Sequence, residues 1–325
     1  MRNFEHVNAP DIESAISLLS EGDAKVIAGG TDLLTEMKEK IKSPRRLVNL
    51  KTISDLSYIR YDPKDGLRIG ALTPLSEIEQ HPLIAERFPI LAQATRLIAS
   101  PQIRNMGTLG GNLCQSPRCW YYRGPFHCWL KGGIKCYAFD GENQNHAIFG
   151  GDPCYSVHPS DLAPALMALG ASVRIVGRDL DGVLSLEEFY VRPTEAHRWM
   201  NVLEPDTLIS EVQVPWPAES SHGTYLKVMA RKVWDFAVVS VAAQLRWNGD
   251  IVKEARIVLG GVAPIPWRVK AAEAVIQNQK ITAELANKAG EEAVARAEPL
   301  KHNAYKVPLV KALVKRALLT LAEQP

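Results

Sequence analysis

Outside residues 114–154 this 325-residue chain contains no cysteine. That absence excludes a disulfide framework spread through the fold, the usual support of small secreted domains with thin cores. The start, Met1-Arg2-Asn3-Phe4-Glu5-His6, has no apolar h-region, so no secretory leader is expected. Long apolar runs are missing as well. The stretch Leu162 to Ala171 is interrupted by proline and glycine and falls well short of a membrane span. Nor is one sign of charge in excess, with 38 Lys and Arg against 36 Asp and Glu, which gives no electrostatic footprint for nucleic acid. What remains is a cytoplasmic globular chain, 46% apolar, long enough for two domains.

The five cysteines that are present, Cys114, Cys119, Cys128, Cys136 and Cys154, all crowd into that one segment. Three readings compete for such a cluster. Disulfides suit it least, because they need an oxidising compartment. Structural zinc favours closely spaced Cys pairs on a tight turn, and here only Cys114 to Cys119 comes near that spacing. An iron-sulfur cluster tolerates a wandering loop. Its neighbours are suitable: Trp120, Tyr121, Tyr122, Phe126 and Trp129 can exclude water, and Arg118, Arg123, Lys131 and Lys135 can offset thiolate charge. Zinc stays open, since His127, His146 and His158 lie near enough in sequence to replace a cysteine.

Periodicity and caps predict a helix after Asp11, a strand over Ala24 to Ala28, a tight turn at Gly29-Gly30-Thr31-Asp32 and a helix from Leu33 to Lys42. A strand running through glycines into a helix directs backbone N–H groups at a helix N-terminus, where a pyrophosphate binds well. A plain glycine turn is the commoner use of one such motif. The motif differs from the dinucleotide fingerprint of Rossmann folds, because its two glycines are adjacent. Strands follow at Arg46 to Leu50 and Leu67 to Ala71, then helices from Thr73 through Glu79, stopped by Pro82, and from Leu91 to Ala99. A second glycine turn comes at Gly107-Thr108-Leu109-Gly110-Gly111-Asn112, and the two turns together could grip one dinucleotide. Beyond Cys154 the pattern gives a helix from Leu162 to Leu169 behind Asp161, and strands at Ala171 to Val176 and Thr207 to Val214. The Pro215-Trp216-Pro217 break with Ser220-Ser221 is the linker candidate. After it come three strands, at Tyr225 to Ala230, Ala237 to Trp247 and Ala255 to Val262. Three helices complete the chain, at Arg268 to Asn278, Thr282 to Ala297 and Val307 to Ala322.

The motifs Ala28-Gly29-Gly30-Thr31-Asp32-Leu33, Thr108-Leu109-Gly110-Gly111-Asn112 and His158-Pro159-Ser160-Asp161-Leu162-Ala163-Pro164, in that order, resemble the FAD-binding medium subunit of the xanthine dehydrogenase family of molybdenum hydroxylases. The interposed cysteines resemble those of the type that carries a 4Fe-4S cluster, such as the 4-hydroxybenzoyl-CoA reductase beta subunit. The resemblance implies an α+β fold: a two-lobed FAD-binding domain over 1–217, with lobes of about 1–55 and 56–217 and an iron-sulfur insertion at 113–157. A CO dehydrogenase flavoprotein-like C-terminal domain over 222–325, a three-stranded sheet with helices, would follow it. It implies FAD held by Val26, Ile27, Ala28, Gly29, Gly30, Thr31, Asp32 and Leu33 on one side and by Thr108, Gly110, Gly111 and Asn112 on the other. Asp161 would meet the flavin's sugar portion, with Ile209 and Lys227 near the isoalloxazine; from the residues alone Asp161 is a helix N-cap and Lys227 a solvated strand residue.

The same resemblance implies cluster ligation by Cys119, Cys128, Cys136 and Cys154, leaving Cys114 unliganded, and no substrate-transforming residues in this chain. The implied partners are a large molybdopterin-containing subunit, a small 2Fe-2S subunit and an external electron carrier such as ferredoxin, in a dimer of heterotrimers. Trp234 stands where NAD-reducing members carry an acidic residue, which speaks against NAD as that carrier.

Overall fold

In the N-terminal lobe a helix or a long loop separates successive strands, which lets them run parallel. The computed structural model, which describes residues 1–323, begins with β1 (Glu5–Asn8), α1 (Ile12–Ser20), β2 (Ala24–Ile27), α2 (Leu33–Lys38) and β3 (Arg46–Asn49). Both neighbours of β3 pair with it in parallel, in the order β1-β3-β2. Asp11 caps α1 by accepting from the Ser14 N–H at 2.7 Å, as its position predicts. The second helix is shorter than its sequence suggests. It ends at Lys38, and Lys40 then takes a left-handed φ of 60°.

The larger lobe begins with β4 (Ile59–Asp62) and β5 (Gly66–Gly70), followed by α3 (Leu75–Gln80), α4 (Pro82–Arg87), α5 (Pro89–Arg96), α6 (Pro101–Met106) and α7 (Leu109–Leu113). Prolines explain this chopped arrangement. Pro82, Pro89 and Pro101 each occupy the first helical turn, where a missing N–H costs nothing. Pro82 therefore opens α4 in addition to closing α3, and the helix expected over Leu91 to Ala99 starts and stops earlier. Next come α8 (Trp120–Arg123) in the cysteine segment, then α9 (Leu162–Ala168), β6 (Ser172–Gly177), β7 (Leu180–Ser185), α10 (Leu186–Phe189) and β8 (Leu208–Val214). Their antiparallel sheet runs β4-β5-β8-β6-β7, and α9, buried along its whole length, packs in the same core.

The last unit holds β9 (Ser221–Val228), β10 (Val239–Asn248), β11 (Ile251–Gly260) and β12 (Trp267–Arg268) in the order β12-β11-β10-β9. The three expected strands are there, and β12 adds a two-residue fourth at the edge. Helices α11 (Lys270–Ile276), α12 (Ala283–Glu292) and α13 (Lys306–Ala322) cover one face. On α13 the apolar stripe Val310, Leu313, Val314, Ala317, Leu318 and Leu321 is buried. Residues 324 and 325 of the expected C-terminal unit lie outside the described residues. The Pro215-Trp216-Pro217 segment is packed, because Trp216 lies 4.6 Å from the Tyr61 ring and 5.7 Å from the Phe88 ring.

Candidate flavin cleft and cysteine pocket

Where the two lobes and the β9–β10 loop meet, they leave a cleft of about 690 Å³. The first glycine turn and α2 form one wall, residues 107–118 another, and Arg231, Trp234, Asp235 and Phe236 overhang it. All of Val26 to Leu33 line it, together with Thr108, Gly110, Gly111, Asn112, Asp161 and Ile209. The sequence motifs therefore converge on one place. Ile98, Ile103, Leu203 and Pro205 also line it; they are ordinary apolar residues with no motif to mark them.

The two glycine turns touch. A Cβ on Gly29 would lie 1.9 Å from the Met106 carbonyl oxygen and 3.2 Å from the Gly107 Cα, so only glycine permits the contact. Gly30 is required for a second reason, a φ of 71°. The turns differ in what they offer a ligand. Among the described residues the backbone N–H groups of Gly29, Gly30, Thr31 and Asp32 have no acceptor within the chain. In the second turn the Leu109 N–H donates to Thr73, Gly110 to Ala71 and Gly111 to the Thr108 hydroxyl, at 3.0, 2.8 and 3.3 Å. Only the first turn keeps a run of free donors, the equipment of an anion cradle.

Asp161 does not cap α9. The Ser160 hydroxyl does so, accepting from the Ala163 N–H at 3.0 Å. The Asp161 carboxylate accepts from Tyr225 Oη and Lys227 Nζ, both at 2.7 Å. Burial pushes its carboxyl above the ordinary range, against the opposing pull of Lys227. The Lys227 side chain is fully buried, and the residue is absent from the cleft lining. Its ammonium also donates to the Leu97 and Asp235 carbonyls, each at 2.9 Å, so it ties the cleft floor to the overhanging loop.

Asp32 lines the cleft too, but its carboxylate is engaged within the chain. Its carboxylate accepts from Ser116 N, Arg118 Nη1 and Arg123 Nη2, each at 2.7 Å. Burial opposes its ionisation, yet Arg118 and Arg123 hold its pKa below the usual value. One helical turn on, buried Glu36 accepts from Tyr122 Oη at 2.6 Å and pairs with Lys42 at 2.9 Å. The cleft-side helix α2 is thereby bolted to residues 116–123, the start of the cysteine segment.

Behind that bolt the cysteine segment packs into a second, aromatic cluster. Cys128 and Cys154 are buried there with Tyr121, Tyr122, Trp129, Leu130 and Met200, and Cys119 and Cys136 pack against them. Cys114 stands apart, lining the cleft and packing on the core of the larger lobe, and burial pushes its thiol up to about 12. Burial pushes Cys119 to about 12 as well. Cys136 is drawn down to about 6, chiefly by a hydrogen bond from Cys154, whose own thiol is correspondingly pushed up. Of the three candidate histidines, His146 approaches Cys119 at 3.2 Å, whereas the His158 ring packs 4.8 Å from that of Tyr190 and belongs to the core. Among the described residues no three His, Cys, Asp or Glu side chains converge on one point that a single ion could occupy. Cys119, Cys128, Cys136 and Cys154 thus share one packed cluster of aromatic and apolar side chains, a donor set of the kind that can hold an iron-sulfur cluster. The far half of the segment is held by the C-terminal unit: Ile148 N–H donates to Val262 at 2.8 Å, and Asn303 Nδ2 donates to the His146 and Ala147 carbonyls at 3.2 and 3.0 Å.

Comparison with known proteins bears on the whole chain. Residues 2–217 match the FAD binding domain in molybdopterin dehydrogenase, and residues 224–321 match the CO dehydrogenase flavoprotein C-terminal domain. The aldehyde oxidoreductase FAD-binding subunit PaoB of Escherichia coli is 35% identical over 318 residues, 95% of this chain and 94% of that one. The carbon monoxide dehydrogenase medium chain of Hydrogenophaga pseudoflava is 28% identical over 322 residues, 97% of this chain and 96% of that one. In a solved structure of that carbon monoxide dehydrogenase, a chain superimposes with a TM-score of 0.78, covering 98% of this chain and 96% of the other. A quinoline 2-oxidoreductase from Pseudomonas putida gives 0.77 at 25% identity, covering 99% and 98%. Motifs, cleft and similarity agree: the chain belongs to the FAD-binding medium subunits of the molybdenum hydroxylase family.

Proposed function

We propose that this chain holds FAD in the cleft and a 4Fe-4S cluster in the cysteine pocket, and serves as the electron-relaying subunit of a molybdenum hydroxylase complex. Two units would divide the work, residues 1–217 binding FAD and residues 222–325 packing against partners. Free N–H groups of Gly29 to Asp32 would hold the FAD pyrophosphate, with the Thr108 hydroxyl and Asn112 facing it from the second turn. Val26, Ile27, Ala28, Leu33, Gly110, Gly111 and Ile209 would shape the walls. Asp161 would reach the sugar portion while Lys227 fixes its carboxylate from behind. Cys119, Cys128, Cys136 and Cys154 would be the cluster ligands. When bound, FAD supplies one- or two-electron exchange and the cluster one-electron exchange, so one chain holding both joins pair donors to single-electron carriers.

The partners that follow are a large molybdopterin-containing subunit, a small 2Fe-2S subunit and an external carrier such as ferredoxin, in a cytoplasmic dimer of heterotrimers. The PaoB relative, named for aldehyde oxidation, favours an aldehyde-oxidising complex over a 4-hydroxybenzoyl-CoA reductase. One observation carries the reading: four of five cysteines share one aromatic-walled cluster joined by the Asp32 bolt to an open cleft whose first glycine turn has, among the described residues, amides without an acceptor. The test is a reductive titration of anaerobically purified protein, followed by absorbance and electron paramagnetic resonance. Flavin bleaching together with a reduced-cluster signal is expected; flavin bleaching in a chain silent in resonance and loaded with zinc would replace the cluster by a structural zinc site.

A further inference from the structure

His146 is not among the four cysteines, yet its ring is committed to one of them. Nε2 lies 3.2 Å from Cys119 Sγ. Nδ1 is buried and has no hydrogen-bond partner among the described residues. The residue is 2% exposed, with the Trp120 and Tyr121 rings 5.4 and 6.0 Å away. Its main chain is pinned: the N–H donates to Asn143 at 3.0 Å, while Asn303 Nδ2 and Lys306 Nζ donate to its carbonyl at 3.2 and 3.1 Å. Lys306 is itself fully buried and also donates to the Gly261 carbonyl at 2.7 Å. Two donors from α13 and the turn before it thus set where the imidazole stands.

The tautomer follows from the partners. A proton on Nδ1 would bury a donor with nothing to receive it, whereas a proton on Nε2 points at sulfur and leaves only a lone pair unsatisfied. An iron-bound thiolate has no hydrogen to give, so it accepts. We infer that His146 is a positioning residue that donates its Nε2–H to the Cys119 thiolate and thereby raises the reduction potential of the cluster, an inference that rests on the cluster reading above. The physical reason is that an N–H aimed at a cluster sulfur stabilises the more negatively charged, reduced state.

The test uses full-length protein purified anaerobically, as wild type, His146→Phe, His146→Gln and Cys154→Ser. Iron, acid-labile sulfide and FAD are counted per chain, and the cluster midpoint is read by resonance-monitored redox titration. Both histidine variants should keep the wild-type iron content. His146→Phe should shift the midpoint to lower potential, and His146→Gln, whose amide can still donate, should fall between. A midpoint in His146→Phe equal to wild type at full iron overturns the inference. So does iron loss in both histidine variants; if Cys154→Ser keeps its iron at the same time, His146 is itself a ligand. If His146→Phe fails to fold, losing FAD along with iron, His146→Gln decides alone: full iron with a lowered midpoint supports the inference, and an unmoved midpoint overturns it. Wild-type protein without iron fells the cluster reading and this inference together, whereas wild-type protein with iron and an unmoved variant midpoint fells this inference only.

Discussion

The cleft and the cysteine cluster lie on either side of one short helix, α2, and on the proposed reading they would hold their ligands by opposite means. The cleft is open, and its first glycine turn presents backbone N–H groups with no acceptor among the described residues. The cysteine cluster is packed with aromatic rings, and the groups it offers are side-chain thiols. A polyanionic cofactor is read through the main chain, where glycine lets it come close; an inorganic cluster is held by atoms only cysteine supplies. The Asp32 carboxylate, with its three partners at 2.7 Å, makes the two regions one mechanical piece.

Cysteine replacement should separate the regions most sharply. Cys128→Ser or Cys136→Ser is expected to abolish iron binding while most FAD stays, and Cys114→Ser to leave iron unchanged; metal and flavin content check both. Iron loss from Cys114→Ser with retention in Cys119→Ser would reassign the ligands. Next in size is Lys227→Met. It strands a buried carboxylate at Asp161 and should cost about 3–5 kcal/mol in denaturant unfolding, and Asp161→Asn in the same chain should recover part of that. A loss under about 1 kcal/mol would mean the pair is solvent-relaxed.

Gly29→Ala, facing the Met106 carbonyl at 1.9 Å, should cost about 1–3 kcal/mol by overpacking and release FAD. Gly111→Ala, whose Cβ meets only the Thr108 hydroxyl at 3.0 Å, is the milder control. Equal thermal stability and flavin content in the two variants would contradict the contact between turns. The smallest effect concerns Asp32. Its folded pKa is depressed, so its contribution is present above the ordinary aspartate range and lost as pH falls through the folded value. Stability measured from about pH 6 to 3 should therefore fall less steeply in Asp32→Asn, the difference staying under about 1.4 kcal/mol per pH unit, the limit for one proton.

Much of this was legible in the residues. Both glycine turns, the clustered cysteines and the α13 stripe announce themselves because each is a local pattern with a known physical use. What stayed hidden depends on partners far along the chain. Asp161 reads as a helix cap, but its acceptors are taken by Tyr225 and Lys227, 64 and 66 residues away. Lys227 reads as solvated, yet its side chain is fully buried. Lys306, buried at the start of an otherwise apolar face, finds its carbonyls 160 and 45 residues back, at His146 and Gly261. Asp32 sits in the cradle motif yet spends its carboxylate on residues 84 to 91 further on. The second glycine turn resembles the first in sequence, but its amides are consumed by Thr73, Ala71 and Thr108.

The central claim is that one chain carries a flavin and an iron-sulfur cluster in adjoining sites. Counting iron, acid-labile sulfide, zinc and FAD on wild-type protein purified without oxygen tests it most directly. Iron and sulfide in equal amounts, several of each for every FAD, with zinc at trace level, are the predicted result; one zinc per FAD with no labile sulfide would contradict it.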